Sequence, residues 1–351
     1  MFYVNSVSFL NKLVNRLEIK LKRTRLISRP VSVTIEPTVK CNSNCIMCNR
    51  NFHRQDTKQE NGMLGRDTLK RVKPFIRTAE RIMFGGFGEP FLHPEYTSLL
   101  KEIKRSGGPF VYVFTNGIVM TPDISRQLVD NGFDMVCISM GGANRESYRY
   151  IRGVDAFDRV VENIRFLHDY KRKKGVSKPL ISFNIVSMNS LLDELPQMID
   201  LAAHIGVGHI AMPNLVAQGE SIRHESNWLD LAHAKKVFAA AEIQAAEKGI
   251  QFIRPDFTPG RGDCKSLFNN MIVNWDGTVM SCSQERFILG DLKKQPIQAM
   301  WNSPGMIDLR KKYYKYGLPM LCPACTSWDN RPETYLNPWK NARQFARRID
   351  S

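Results

Sequence analysis

Between residues 31 and 255 the chain alternates two textures. Short β-branched, aromatic and aliphatic runs occur at Val31–Ile35, Arg81–Phe84, Phe110–Phe114, Met135–Ser139, Leu180–Ile185 and Gly208–Met212. Between them lie stretches whose apolar positions recur every three or four residues, as in Leu69, Val72, Phe75 and Ile76, or Phe157, Val160, Val161, Ile164 and Leu167. The runs read as strands buried on both faces and the periodic stretches as helices that cover them. Ile250–Ile253 adds a possible seventh strand. Strand and helix in regular alternation predict an α/β fold with a parallel sheet or barrel.

The texture changes on either side. Pro255, Pro259, Gly260 and Gly262 form a linker, after which Ile272–Trp275 and Thr278–Cys282 flank an Asp276-Gly277 hairpin turn and Trp301-Asn302 opens a helix. The chain therefore divides into an extension (1–30), a βα region (31–255), a small hairpin-containing module (256–330) and a basic tail (331–351). In the extension, Phe9, Leu10, Leu13, Val14, Leu17 and Leu21 form an apolar stripe among Lys12, Arg16, Lys20, Lys22, Arg23, Arg25 and Arg29. A basic amphipathic helix of this kind either rests on an anionic membrane or partner, or docks its stripe and turns its charges to water. Docking is the expected outcome.

At 351 residues the chain exceeds a domain of about 100–200 residues and suits a barrel of about 250 with a small module. Its 43% hydrophobic and 24% charged residues exclude bulk disorder and collagen-like repeats. No run nears the roughly 18 apolar residues of a membrane span, and no signal-peptide pattern is present, so the cytosol is the expected compartment, with peripheral membrane contact open to the basic helix. A net charge of +16 favours acidic partners, among them nucleic acid, anionic lipid or an acidic redox protein. Nucleic acid is the weakest, for want of a reading module.

Eight cysteines narrow the field further. In a reducing compartment they are better read as metal ligands than as disulfides. Cys41, Cys45 and Cys48 are spaced C-x3-C-x2-C; Cys264, Cys282, Cys322 and Cys325 lie in the last quarter; Cys137 stands alone inside an apolar strand and reads as packing. Three thiolates leave one metal corner open, which suits ligand binding at iron rather than closed structural zinc. The four later thiols can close a zinc tetrahedron or a [4Fe–4S] cluster, and spacing alone does not choose.

The stretch Cys41-Asn-Ser-Asn-Cys-Ile-Met-Cys48 resembles the cluster loop of the radical S-adenosylmethionine (radical SAM) superfamily, although Met47 stands where many members carry an aromatic residue. Gly85-Gly-Phe-Gly-Glu-Pro90, about forty residues on and directly after the second strand run, resembles the motif by which that family binds the SAM amino group. The resemblance implies a partial (β/α)6 TIM-like barrel in which the three cysteines hold a [4Fe–4S] cluster. SAM chelates its fourth iron and is cleaved to methionine and a 5′-deoxyadenosyl radical that takes a hydrogen from substrate. It also implies cofactor contacts at Gly85, Gly86, Gly88, Glu89 and Asn116, at Ser139, at Arg152 for the SAM carboxylate, at Asn184 for the ribose and at Met212 for the adenine.

The later cysteines resemble the Twitch module, a short relative of the SPASM domain, with no cysteine beyond Cys325. That implies one fully ligated auxiliary [4Fe–4S] cluster, hence two clusters in all, and a low-potential donor such as flavodoxin or ferredoxin. The expected activity is a radical SAM oxidoreductase that passes an electron to the auxiliary cluster in a net oxidation. No motif names a catalytic acid, base or hydrogen donor. Many peptide-modifying relatives carry a leader-recognition domain ahead of the barrel, and thirty residues precede the βα region here. The expected substrate is therefore a small molecule, carbohydrate- or lipid-linked. A peptide-modifying maturase, forming a cross-link or an epimer, is the alternative, and a non-enzymatic metal-cluster protein that binds nucleic acid is the remote one.

Overall fold

The computed structural model describes residues 6–48, 50, 62–217, 219–258, 264–282 and 287–317. In chain order the first elements are α1 (Ser6–Lys20), β1 (Ser32–Ile35), α2 (Arg66–Ile76), β2 (Arg81–Phe84), α3 (Tyr96–Arg105) and β3 (Phe110–Thr115). Next come α4 (Pro122–Asp130), β4 (Met135–Ser139), α5 (Arg145–Arg152), α6 (Phe157–Lys173), β5 (Leu180–Asn184), α7 (Leu195–His204), β6 (His209–Ala211), α8 (Leu231–Glu247) and β7 (Gln251–Ile253). The last are α9 (Ser266–Asn269), β8 (Asn270–Val273), β9 (Thr278–Met280), β10 (Ile288–Asp291), α10 (Ile297–Trp301) and α11 (Pro304–Tyr316). They fall into two compact units, one of Met1–Lys40, Gln59–Val113 and Asp263–Cys325, the other of Cys41–Lys58, Phe114–Gly262 and Thr326–Ser351.

In the first unit the strand order is β10-β9-β8-β1-β2-β3. β1 pairs in parallel with β2 on one side and β8 on the other, with Val33 level with Ile82 and Met271, and Ile35 level with Phe84 and Val273. Val33, Ile35, Ile82, Phe84, Met271 and Val273 are all fully buried, which is the hydrophobic reason this register holds. The hairpin β8–β9 turns at Gly277, whose φ of +94° suits a residue without Cβ. β10 completes an antiparallel flank. α2 buries Leu69, Val72, Phe75 and Ile76, the four positions its periodicity predicts. In the second unit β4-β5-β6-β7 are parallel, and α6 buries Val160, Val161, Ile164 and Leu167.

Two expectations are corrected. Trp301-Asn302 does not open a helix: Trp301 closes α10, and Ser303 caps α11 by accepting from Met306 N at 3.3 Å. α1 docks by its polar side. Ser8, Asn15 and Glu18 are buried, whereas Phe9, Leu10, Leu13, Val14, Leu17 and Leu21 are exposed. The cause is a set of backbone groups that only polar side chains can satisfy. Asn15 Nδ2 donates to Phe268 O (2.6 Å) and Ser28 Oγ (3.1 Å), and the Glu18 carboxylate accepts from Ile27 N (2.6 Å) and Ser28 N (3.1 Å). Asn11 bridges to Arg29 through both its amide nitrogen and its oxygen. Beneath them lies Arg310, fully buried, stacked on Trp301 at 4.5 Å and donating to Leu267 O and Thr24 O. Burial lowers its guanidinium to about 10, so it stays charged at neutral pH.

Candidate functional site

In the first unit the glycine loop follows β2. Gly85 N donates to Ile35 O at 3.0 Å, continuing the β1–β2 pairing, and Glu89 N donates to Lys40 O at 2.6 Å. Lys40 is the residue before Cys41 in the sequence. Glu36, just beyond β1, accepts from Phe87 N at 2.9 Å with its buried carboxylate. A Cβ at Gly86 would lie 2.5 Å from Glu36 Oε1, and one at Gly88 would fall on the Thr38 and Lys40 carbonyl oxygens. Both glycines are thus required by the packing of this loop on the β1 extension, whatever else approaches them. Burial pushes the Glu36 carboxyl up to about 7, against the pull of the Phe87 and Trp275 amides. Glu89 is buried too, and its side chain accepts from Phe91 N at 3.2 Å, starting the short Pro90–Leu92 turn.

In the second unit the cysteine loop is held by the end of a helix. α5 starts at Asn144, whose side chain accepts from Glu146 N and Ser147 N, and ends at Gly153, with φ +66°. Carbonyls in the last turn of a helix have no partner within it. Here Ile151 O accepts from Ile46 N and Arg152 O from Asn44 N, each at 3.1 Å. A Cβ at Gly153 would meet Asn44 O, so this glycine supplies both the turn and the room for the loop. Asn116, buried after β3, donates to Asn42 Oδ1 at 2.7 Å and Ser43 Oγ at 3.1 Å, with Cys41 Sγ at 4.0 Å. Its Oδ1 accepts from Ile118 N at 2.9 Å, fixing the amide's orientation.

Arg152 is buried against Gly141, and among the described residues its Nε has no hydrogen-bond partner. A buried guanidinium nitrogen left unpaired is costly, and an anion relieves the cost. Burial raises the Cys45 thiol, the charge of Arg152 pulls it down, and Cys48 and Cys41 push it up again. The three thiols therefore feel one another and one cation. No group of three or more His, Cys, Asp and Glu side chains is gathered at metal-holding distance among the described residues. The donor set nonetheless fits a thiolate-ligated cluster, since all three are soft sulfur donors on one loop.

The remaining candidates occupy strand ends. Ser139 is level with Asn184, and Asn184 with Ala211, so Ser139, Asn184 and Met212 mark the C-terminal ends of β4, β5 and β6. Met212 is buried. Cys137 is buried inside β4 and its thiol is pushed up to about 12, as befits a packing residue. Cys264 and Cys282 are half-buried, while Cys322, Cys325, the Pro259–Gly262 part of the linker and the tail 331–351 lie outside the described residues. Sequence reasoning missed Glu36, Thr38 and the carbonyls of α5. Glu36 alone left a signal, as a carboxylate directly after an apolar strand.

Residues 35–202 match the family described as the Radical SAM superfamily, and residues 264–326 match SPASM, an iron–sulfur cluster-binding domain. The chain belongs to the radical SAM superfamily and is an enzyme of its SPASM-bearing class. [4Fe–4S] clusters and SAM are the cofactors that these domains indicate. The chain is 27% identical, over 88% of its length and 91% of the relative's, to the tungsten-containing aldehyde ferredoxin oxidoreductase cofactor-modifying protein of Pyrococcus furiosus. It is 31% identical to a probable GTP 3',8-cyclase of Thermoplasma volcanium, over 51% of this chain and 53% of that one, and so spans about half the length of such relatives. In fold it is similar to SuiB of Streptococcus suis bound to the precursor peptide SuiA (TM-score 0.63, 14% identity, 86% of this chain and 71% of that one). It is also similar to anSMEcpe with bound AdoMet (TM-score 0.63, 18% identity, 91% and 98%). The fold class is accordingly α/β, with the mostly parallel sheet of the TIM-like radical SAM fold.

Proposed function

We propose that the chain is a radical SAM oxidoreductase of a small molecule, with Cys41, Cys45 and Cys48 holding the SAM-binding cluster and Cys264, Cys282, Cys322 and Cys325 an auxiliary one. The observation that carries this reading is the buried Arg152, a cation whose Nε is unpaired among the described residues and whose charge opposes the burial that raises the central thiol of the C-x3-C-x2-C loop. When bound, SAM and the clusters supply reductive cleavage of SAM, removal of a substrate hydrogen and a place for the electron that a net oxidation releases.

The chain's own residues set the stage. Arg152 opposes the mutual repulsion of three thiolates and offers Nε to the SAM carboxylate. Asn116 fixes the first turn of the cysteine loop. By the family resemblance, the backbone of Gly85–Glu89 would hold the SAM amino group, and Ser139, Asn184 and Met212 would serve its nucleoside. A small-molecule substrate is supported by the Pyrococcus relative, whose name gives it a cofactor-modifying role and whose likeness covers most of both chains. A carbohydrate- or lipid-linked molecule falls within that class. The peptide-modifying reading has only likeness of fold behind it, to structures with bound peptide. A low-potential donor such as flavodoxin or ferredoxin fits the net charge of +16, because such proteins are acidic.

The test is an iron count followed by product analysis. Two [4Fe–4S] clusters give about eight irons per chain after anaerobic reconstitution. Cys322→Ala with Cys325→Ala is expected to lose about half that iron, keep SAM cleavage and form no oxidised product. Product formation at the parent rate by the folded variant contradicts the auxiliary role.

A further inference from the structure

α1 is amphipathic, yet it is anchored by its polar side. Asn11, Asn15 and Glu18 are engaged with the backbone beneath them, and Lys12 pairs with Glu80 at 2.6 Å. Leu10, Leu17 and Leu21 remain 59%, 56% and 62% exposed on the outer side, with Phe9, Leu13 and Val14 also open to water. Arg16, Lys20, Lys22, Arg23 and Arg25, all exposed, run along and beyond this stripe. The one acidic residue of the helix, Glu18, is buried. Large apolar side chains exposed side by side along a fixed helix are the kind of patch that marks an interaction site.

We propose that this face seats the protein on an anionic lipid surface, with α1 lying in the interface plane, its leucines in the acyl boundary and its cations among the headgroups. The 15-residue helix is about 22 Å long, too short to cross a bilayer, and no described helix is long and apolar enough to do so. An interfacial position needs an exposed apolar stripe, flanking Lys and Arg, and a positive field, and all three coincide here. A second copy of the chain is disfavoured as occupant, because it brings the same five cations and the same +16 charge face to face. The inference is independent of the reaction proposed above.

Flotation with vesicles tests it, using the full chain and either phosphatidylcholine alone or phosphatidylcholine with about 30% phosphatidylglycerol. The parent should float with the anionic vesicles and at least about tenfold less with the neutral ones. Leu10→Ser with Leu13→Ser and Leu17→Ser should lower binding about tenfold, as should Arg16→Gln with Lys20→Gln and Arg23→Gln. These positions are exposed, so both variants should melt like the parent, which circular dichroism checks. Unchanged flotation of the leucine variant overturns the proposal. So does a dimer in light scattering that the leucine variant abolishes without any vesicle binding, or retention by an acidic protein partner when vesicles are ignored.

Discussion

The cysteine loop and the glycine loop each sit beside a strand end, yet they are held by different chemistry. Neutral groups hold the first: the last carbonyls of α5 and the Asn116 amide. A titratable group holds the second, since Phe87 N rests on the Glu36 carboxylate. Thiolate ligands repel one another, and neutral groups position their loop while the Arg152 cation opposes that repulsion. The glycine loop has instead been given a buried acid poised near neutrality, so its order responds to pH through Glu36. The comparison also separates what glycine does in each place: Gly88 makes room for carbonyls, whereas Gly153 supplies a left-handed turn as well.

Substitutions should pull the two loops apart. The largest effect is expected from Gly88→Val, whose Cβ meets two backbone carbonyls that cannot rotate away. Overpacking of this kind costs about 3 kcal/mol of stability, and the displaced loop should bind SAM more weakly by calorimetry while the iron–sulfur absorbance is kept. Loss of absorbance together with affinity would show that the two loops are not held separately.

Glu36→Gln comes next. The folded chain keeps a proton on Glu36 up to about pH 7, whereas the unfolded chain loses it near 4.5. Stability from this group is therefore fully present below about 4.5 and is lost as pH rises through 7. Between pH 5 and 8 the parent should lose on the order of 2–3 kcal/mol relative to Glu36→Gln in urea unfolding. Parallel pH profiles contradict the account of the glycine loop.

Gly153→Ala should cost about 1–2 kcal/mol, from the positive φ and the contact with Asn44. Its signature is lower iron occupancy after reconstitution with unchanged pH dependence. Asn116→Ala, which removes the amide bonds to Asn42 and Ser43, should cost about 1 kcal/mol and slow cluster loading. Normal loading in both would return the α5 terminus and Asn116 to ordinary packing.

Much of this was legible in the sequence, for a local reason. Buried parallel strands are short apolar runs, so Arg81–Phe84 and Met135–Ser139 were delimited to the residue, and the apolar period of α2 named its four buried positions. What was not legible depends on partners far along the chain. The pairing of β8 with β1 joins residues some 240 apart, and nothing in Asn270–Val273 announces it. The docking of α1 by its polar side follows from the Phe268 carbonyl and the Ile27 and Ser28 amides, which a helical wheel does not contain. The cysteine motif was visible and its support was not, since carbonyls at a helix end carry no side-chain signature.

The most direct test of the central claim is 5′-deoxyadenosine release from SAM under anaerobic reduction, compared between the parent and the Cys41→Ala, Cys45→Ala, Cys48→Ala variant. The parent should release it, and the variant should release none while still holding the iron of its auxiliary site. Cleavage by the triple variant at the parent rate would contradict the assignment of these three cysteines.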